Sequence, residues 1–403
     1  MKNNKPEKMI KPRHKIIERI LTPIFGIYSK IAYRYHVEKL NIPKGPALIL
    51  SNHVCALDPA FVGYAMEKPV YFVGMEDLLS RKGLGPFLKW TFNLIPKAKA
   101  QSDPRSVKMI LRVIKEGGRV ILFPSGNRTY DGAPTHIDPS ISKLCKLLNV
   151  PIVLLNLVGG YGSDPRWAYK KRRGKITLIK RDIIMPDELS ILSNDEIYDR
   201  IIKDLDVNED ESVKFKSRRK AEYLERLLFI CPDCHSYNTL HSNKNTIKCS
   251  MCGYEAEYKE DLSFKLINGD TYLKDVKDWH KMQKDYVSKL DFTNESLLFT
   301  EKNVNLYKIY PSKRKDKYLM NATFKCYSDK LVIESEKENL TIPFNDAINV
   351  CAVGKHKANF TFDNQIYQID GDKRCNAYKY VMMYYHYHNT IKNTLGNDEY
   401  FGM

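Results

Sequence analysis

The sequence ALILSNHVCALDP, residues 47–59, decides how the first half of the chain folds. Its four leading apolar residues predict a buried strand. Asp58 and Pro59 then predict the start of a helix, with Asp58 as the N-cap and Pro59 at the first helical position. The prediction therefore places His53 and Asp58 in the turn between a strand and a helix.

The spacing of His53 and Asp58 restricts how their side chains can meet. Residues five apart point about 140° away from each other on a helix and to opposite faces on a strand. An irregular turn can instead bring the carboxylate to one ring nitrogen and leave the other nitrogen facing a substrate. We therefore predict that His53 is a general base for an alcohol. The alternative is a surface histidine beside an ordinary helix cap.

A second motif, FPSGNRT at residues 123–129, follows another apolar run. The two motifs together resemble those of the glycerolipid acyltransferases, the PlsC-like 1-acyl-sn-glycerol-3-phosphate (lysophosphatidic acid) acyltransferase family. In that family His-x4-Asp is followed by Phe-Pro-Glu-Gly-x-Arg-Ser/Thr. The resemblance covers roughly residues 15–185. It implies an O-acyltransferase of phospholipid biosynthesis, which moves a fatty acyl group from acyl-coenzyme A or acyl carrier protein to the free hydroxyl of a lysophospholipid.

The resemblance also implies roles for individual residues. His53 would remove the proton of the acceptor hydroxyl, and Asp58 would orient the ring and stabilise the imidazolium. Arg128 would bind the acceptor phosphate through two parallel hydrogen bonds, or be a loop arginine with a structural partner. The other expected substrate-binding residues are Asn52, Lys99, Ser125, Gly126 and Thr129.

Two of these residues depart from the family pattern. Lys99 falls where the family has an arginine, and a lysine supplies a point charge without the guanidinium fork. Ser125 replaces the family's glutamate and can form hydrogen bonds but carries no charge. A catalytically weak or inactive, lipid-binding scaffold therefore remains the alternative function.

The composition of the chain limits the class of protein and its partners. The 403 residues, 43% of them hydrophobic, predict two or three domains. The net charge of +17 favours an anionic partner, such as a membrane surface, coenzyme A, an acidic carrier protein or nucleic acid. The predicted segments are a basic amphipathic membrane-interface helix (1–44), an acyltransferase domain (45–207), a helical connector (208–230), a zinc ribbon (231–260), a helical linker (261–290) and a PH/GRAM-like domain (291–403).

The N-terminal 44 residues contain 11 lysines and arginines but 3 glutamates. Apolar residues recur there at helical spacing from Ile17 to Ala32, and basic residues flank them. Such a helix can lie in the membrane interface, so we predict a peripheral protein at the cytoplasmic face of the cell membrane. The alternative is a helix packed on its own domain. The sequence has no apolar run of the roughly 18 residues needed to cross a bilayer.

Four of the nine cysteines form two knuckles, CPDC at residues 231–234 and CSMC at residues 249–252. This pattern resembles a zinc ribbon, in which Cys231, Cys234, Cys249 and Cys252 would bind one structural Zn²⁺ and leave no open coordination position. A ribbon can also bind nucleic acid, which is the third candidate function. Nucleic acid is the less favoured partner because the ribbon has no aromatic residues interleaved with basic ones.

The remaining periodicities predict the fold class. Short apolar runs alternate with helical patterns through residues 45–185, which predicts an α/β domain with a mixed sheet and flanking helices. Residues 291–403 predict several strands followed by one helix from about Arg374 to Lys392. That order resembles a pleckstrin-homology or GRAM-like domain, and such domains often bind lipid head groups or proteins.

Overall fold

The computed structural model describes residues 8–66, 69–75, 83–92, 94–97, 103–206, 212–291, 294–310 and 315–392. Within these residues the strands form three sheets: a seven-stranded sheet near the N-terminus, a four-stranded sheet, and a second seven-stranded sheet near the C-terminus. The predicted mixed sheet with flanking helices and the predicted β-rich C-terminal region are confirmed.

The first sheet is mixed and has the strand order β1-β7-β6-β2-β5-β3-β4. All its pairs are parallel except β6 with β7. Its strands are β1 (His36–Val37), β2 (Ala47–Ser51), β3 (Val70–Met75), β4 (Ile95–Lys97), β5 (Arg119–Leu122), β6 (Ile152–Val158) and β7 (Thr177–Ile184). The helices of this region are α1 (Pro12–Tyr33), α2 (Asp58–Tyr64), α3 (Leu84–Phe92), α4 (Pro104–Lys115), α5 (Ser140–Leu148), α6 (Gly160–Ser163), α7 (Pro186–Ile191) and α8 (Asn194–Leu205).

Strand β2 lies at the centre of this sheet, between β5 and β6. All five of its residues are buried, as expected for a parallel strand covered by helices on both faces. Because β2 and β5 are parallel, the segments that follow them emerge at the same edge of the sheet. The turn with His53 and the loop that begins at Phe123 are neighbours for this reason.

Helix α1 is shorter than the predicted segment 1–44. It ends at Tyr33, and Arg34 caps it in the left-handed conformation. The chain then joins the first sheet, because β1 pairs with β7. Gly26 lets the helix pack closely on α2, since a Cβ atom at this position would lie 2.6 Å from the Tyr64 ring.

One face of α1 is packed and another is exposed. His14, Ile17 and Tyr33 are buried among the residues of the helix. Five isoleucines on the opposite face are each more than half exposed, namely Ile16, Ile20, Ile24, Ile27 and Ile31. No helix among the described residues is both long and apolar enough to span a bilayer.

The middle of the chain differs from two predictions. Residues 212–230 do not form the predicted helical connector: they contain one 3₁₀ turn, Leu224–Arg226. Its apolar residues are instead buried one after another, from Leu227 to Ile230, which a helix with one exposed face does not allow. The predicted helical linker 261–290 begins with a strand, β11 (Phe264–Asn268), and becomes helical only at α9 (Val276–Val287). That strand extends the antiparallel sheet of β8 (Leu240–Asn243), β9 (Thr246–Cys249) and β10 (Glu255–Tyr258).

The third sheet is antiparallel, with the order β15-β14-β13-β12-β18-β17-β16. The final helix, α10 (Tyr378–Lys392), begins four residues later than predicted. The strands are β12 (Leu297–Ile309), β13 (Lys315–Tyr327), β14 (Lys330–Glu334), β15 (Asn339–Pro343), β16 (Ile348–Val353), β17 (Lys357–Phe362) and β18 (Gln365–Asp370).

A single cluster of buried apolar side chains joins these regions. Tyr130 and Trp167 come from the first region, Trp279 from α9, and Phe324 and Val381 from the C-terminal region. The cluster also includes Cys231 and Cys249 of the cysteine knuckles. Two loops of the first region, after β5 and after α6, therefore share a hydrophobic core with the second and third sheets.

Candidate active site

His53 and Asp58 meet in the turn after β2. The Nδ1 atom of His53 lies 2.6 Å from Oδ2 of Asp58, whose side chain is fully buried. Because a carboxylate only accepts hydrogen bonds, Nδ1 is the donor and Nε2 is the nitrogen with an available lone pair. Within the described part of the chain, Nε2 makes no hydrogen bond. This is the arrangement that a general base requires.

Asp58 is not the N-cap of α2, which corrects the prediction. The helix begins at Asp58, and Leu57 occupies the N-cap position without a side-chain hydrogen bond. The Asp58 carboxylate instead accepts hydrogen bonds from the backbone N–H groups of Val54 and Cys55, at 2.6 and 2.9 Å. These bonds fold the turn back on itself, and they hold the carboxylate in place for His53.

Phe123 supports the other side of the histidine. The two rings stack with their centroids 4.6 Å apart. The His53 side chain is 19% exposed and faces a cleft of about 230 Å³. The cleft is lined by residues 51–54, by residues of the 124–137 segment, and by Tyr198, Asp199, Ile202, Leu205 and Asp206 in and after α8. Sequence reasoning missed the α8 residues, since they are remote from both motifs.

The structure divides the predicted substrate-binding residues. Asn52, Ser125 and Thr129 line the same cleft as His53. The Asn52 amide also exchanges two hydrogen bonds with the Leu157 backbone, which tie the turn to β6. The Thr129 hydroxyl is buried and hydrogen-bonded to Asp131, while the Ser125 hydroxyl bonds to a nearby backbone carbonyl. Ser125 is therefore the more accessible of the two hydroxyls.

Gly126 and Arg128 lie in the loop after β5. Gly126 is exposed and has a φ of +70°, a conformation that glycine adopts without strain. Arg128 does not line the cleft; its Nη1 atom lies 4.0 Å from Oδ2 of Asp164. The neighbouring Thr129 N–H donates to the His53 carbonyl at 3.0 Å, so this loop is still attached to the histidine turn. Lys99 lies outside the described residues.

Cys55 is adjacent to this pair but is not suited to act as a nucleophile. The residue is buried, and its thiol donates to Oδ1 of Asp58 at 2.7 Å. Burial, together with the nearby Asp58 carboxylate, raises the pKa of the Cys55 thiol well above its usual value. Because thiolates are the reactive form of cysteine, this environment keeps the side chain inert.

A second histidine–aspartate pair lies in the shared core. Nδ1 of His280, in α9, lies 2.6 Å from Oδ2 of Asp131. The Tyr378 hydroxyl lies 3.0 Å from Nε2 of the same ring. Burial lowers the pKa of His280, so the neutral ring donates through Nδ1 and accepts from Tyr378. No sequence pattern indicates this contact, because Asp131 and Tyr378 lie 149 and 98 residues from His280 along the chain.

The four knuckle cysteines come together as predicted. Their sulfur atoms all lie within 4.8 Å of one another, and they could hold a metal ion. Two of the separations are 3.6 Å, between Cys231 and Cys252, and 3.8 Å, between Cys234 and Cys249. Tetrahedral zinc with Zn–S bonds of about 2.3 Å requires sulfur atoms about 3.8 Å apart. The residues therefore fit a zinc ion.

Comparison with known proteins supports an acyltransferase core. The protein-family model described as Acyltransferase matches residues 34–156. The 1-acyl-sn-glycerol-3-phosphate acyltransferase of Bacillus subtilis (strain 168) is 28% identical over 98 residues, which are 24% of this chain and 49% of the relative. The enzyme of the same name from Limnanthes douglasii is 25% identical over 192 residues, which are 47% of this chain and 66% of the relative.

The chain thus spans about half to just under two thirds of the length of these curated relatives. Among solved structures, the 1-acyl-sn-glycerophosphate (LPA) acyltransferase PlsC from Thermotoga maritima matches 47% of this chain and 75% of its own, with 19% identity and a TM-score of 0.40. The matched family segment contains both His53-x4-Asp58 and the Phe123–Thr129 loop. The family model and the two curated relatives support the predicted O-acyltransferase core.

Proposed function

We propose that this protein transfers a fatty acyl group from an acyl thioester to the free hydroxyl of a lysophospholipid, most simply 1-acyl-glycerol-3-phosphate. The observation that carries the proposal is the His53 side chain, which is held through Nδ1 by a buried carboxylate and lines a cleft. The acyltransferase match over residues 34–156 and the names of the relatives agree with this chemistry.

The proposed reaction needs one base and no covalent enzyme intermediate. Nε2 of His53 removes the proton from the acceptor hydroxyl while the oxygen attacks the thioester carbonyl. The C–S bond then breaks, and the imidazolium returns the proton to the departing thiolate. Asp58 stabilises the imidazolium between these steps and keeps Nδ1 as the donor. The products are an ester and the free thiol of coenzyme A or of an acyl carrier protein.

We propose that α1 brings this site to an anionic membrane surface at the cytoplasmic face. Its five exposed isoleucines form an apolar face, and basic residues accompany it. Burial raises the pKa of Glu18, on the same helix, to about 7. A carboxyl group that is about half protonated near pH 7 costs less free energy near lipid than a fully ionised one.

The C-terminal half of the protein is proposed to have a supporting role. Cys231, Cys234, Cys249 and Cys252 would hold one structural Zn²⁺, which would cross-link the two knuckles. The seven antiparallel strands and the closing helix support the resemblance of the C-terminal region to a PH/GRAM-like domain. The domain boundaries 45–207, 231–260 and 291–403 remain predictions.

A direct test uses the purified protein with labelled acyl-coenzyme A or acyl carrier protein and lysophosphatidic acid. His53→Gln should lower the transfer rate by about 10³-fold, since general bases contribute about 10²–10⁴-fold. His280→Gln is the matched control, because it makes the same replacement in a pair of the same 2.6 Å geometry. Transfer by folded His53→Gln at the wild-type rate would refute the mechanism.

The serine at position 125 favours a second candidate function, that of a catalytically weak or inactive lipid-binding scaffold. Ser125 lines the cleft where the family pattern has a glutamate. Ser125→Glu should raise the turnover of a weakened enzyme several-fold and leave a scaffold inactive. Ser296→Glu, at an exposed position just before β12, controls for the added charge. Nucleic-acid binding by the cysteine knuckles would instead appear as salt-sensitive binding that is lost when the ribbon is deleted.

A further inference from the structure

A cluster of cations lies where the first sheet meets the C-terminal one. We define the cation cluster as Arg128, Arg166, Lys171 and Lys355. Lys355 occupies the turn between β16 and β17, and its Nζ atom donates to the Ala168 carbonyl. Lys171 donates to the hydroxyl of Tyr33, the last residue of α1. The cluster therefore contacts α1, the loops after β5 and α6, and the C-terminal sheet.

Arg166 fixes the C-terminal turn to the Arg128 loop. Its guanidinium donates to the carbonyl oxygens of Ala352 and Gly354 at 3.2 and 3.1 Å, and to that of Arg128 at 3.4 Å. It also lies over the Tyr130 ring, 4.0 Å from the ring centroid. Because Arg166 is 5% exposed, these contacts are protected from water. The buried Arg166 side chain therefore holds the turn that contains Lys355 close to the Arg128 loop.

The cluster carries more positive charge than its surroundings neutralise. Among the described residues, Asp164 is the one carboxylate within 4.0 Å of any of these four cations, and it reaches Arg128 alone. Burial lowers the pKa of Lys355; the nearby Asp164 carboxylate opposes this, and the positive charges of Arg226, Arg128 and Lys171 lower the pKa further. Cations that are partly removed from water without counter-charges are unfavourable. An anion with several oxygen atoms would relieve this imbalance.

We propose that Lys355 and Lys171 complete, with Arg128, a binding site for the phosphate group of the acceptor lipid. This inference rests on the proposed function. The residue after Arg128 donates its N–H to the His53 carbonyl, so the site adjoins the histidine turn. Tyr33 connects it to α1, the side from which a lipid would arrive. The C-terminal region thus supplies one of the cations that select a phosphate-bearing acceptor.

Binding can be measured without turnover. Isothermal titration calorimetry compares a soluble short-chain lysophosphatidic acid with the monoacylglycerol of the same chain, using the full-length protein. Lys355→Met and Lys171→Met should each weaken binding of lysophosphatidic acid about tenfold, because each removes a charge-assisted hydrogen bond. Neither change should alter monoacylglycerol binding. Lys355→Arg should retain most of the affinity, and Lys302→Met, at an exposed position of β12, should behave as wild type.

The outcomes separate the inference from the proposed function. Equal affinity of the wild type for the two lipids would overturn the inference, even in an active enzyme. Equal affinity of folded Lys355→Met and wild type for lysophosphatidic acid would also overturn it. Phosphate-selective binding that Lys355→Met and Lys171→Met both abolish supports the inference. If the same wild-type protein transferred no acyl group, the proposed function alone would fail.

In an active enzyme, Lys355→Met should raise the KM for lysophosphatidic acid and leave kcat and the KM for the acyl donor nearly unchanged.

Discussion

Two histidine–aspartate pairs in this protein have nearly the same local geometry. The Nδ1–Oδ2 distance is 2.6 Å both for His53 with Asp58 and for His280 with Asp131. Their surroundings differ: the histidine side chain is 19% exposed in the first pair and 3% exposed in the second. Hydrogen-bonded pairing with a carboxylate is therefore insufficient to identify a catalytic histidine.

The other ring nitrogen makes the difference. Nε2 of His280 is occupied by the Tyr378 hydroxyl, so it cannot reach a substrate. The His53 side chain lines the cleft, and Nε2 makes no hydrogen bond within the described part of the chain. Asp58 is held by two backbone N–H groups and does not depend on the histidine for its position. The first pair can exchange a proton with a ligand, whereas the second connects α9 to the loop after β5 and to α10.

The largest expected effect is a difference in the rate of acyl transfer when the two aspartates, Asp58 and Asp131, are replaced. Asp58→Asn should lower the rate of acyl transfer by about 10³-fold or more, because an amide no longer fixes the tautomer or stabilises the imidazolium. Asp131→Asn should leave the rate per folded molecule within about threefold of wild type. Transfer rates normalised to folded protein by circular dichroism check both values. Comparable losses in the two variants would mean that the pairs do not differ in function.

The next prediction concerns stability, and here the larger loss is expected for the His280 pair rather than for the His53 pair. His280→Phe leaves Oδ2 of the buried Asp131 carboxylate without its histidine, while Oδ1 keeps its two other donors, so we expect the free energy of unfolding to fall by about 3 kcal/mol. His53→Phe should cost less than about 1 kcal/mol, because Asp58 keeps its backbone partners. Urea unfolding of both variants beside the wild type tests this difference. A loss of stability in His53→Phe as large as that in His280→Phe would contradict it.

The smallest effect is a pH dependence of stability. Since the pKa of His280 is lower in the folded protein than in the unfolded chain, the unfolded chain binds more protons below about pH 6.5. Stability should therefore be fully present above that pH and fall on acidification, by at most about 1.4 kcal/mol per pH unit for one proton. His280→Gln should flatten the decline between pH 6.5 and 5. An unchanged slope in the variant would show that His280 does not titrate differently on folding.

The sequence predicted the parts of the site that are local. A strand, an irregular turn and a helix suffice to bring His53 to Asp58, since five residues separate them. The sulfur cluster also follows from two short knuckles. The sequence misplaced the cap of α2, because a carboxylate at a helix start can bond either to the helix or to the preceding turn.

Contacts between segments that are far apart in the sequence could not be predicted from the motifs. Arg128 was predicted on a loop, but Asp164 and Lys355 come from elements whose positions depend on how the sheets pack. The predicted helical connector was wrong because consecutive burial of residues 227–230 depends on the neighbouring regions. Helical propensity and period contain no information about such neighbours.

The hydrophobic core that joins loops of the first region to the second and third sheets has a consequence for how the protein can be divided. Tyr130 and Trp167 belong to the region with the His53 turn, yet they are buried in the same cluster as α9 and the C-terminal strands. A shortened chain that stopped after α8 would leave both rings in contact with solvent and Asp131 without its histidine. Such a fragment would expose an apolar surface and tend to aggregate, so acyl transfer should be assayed in the intact polypeptide.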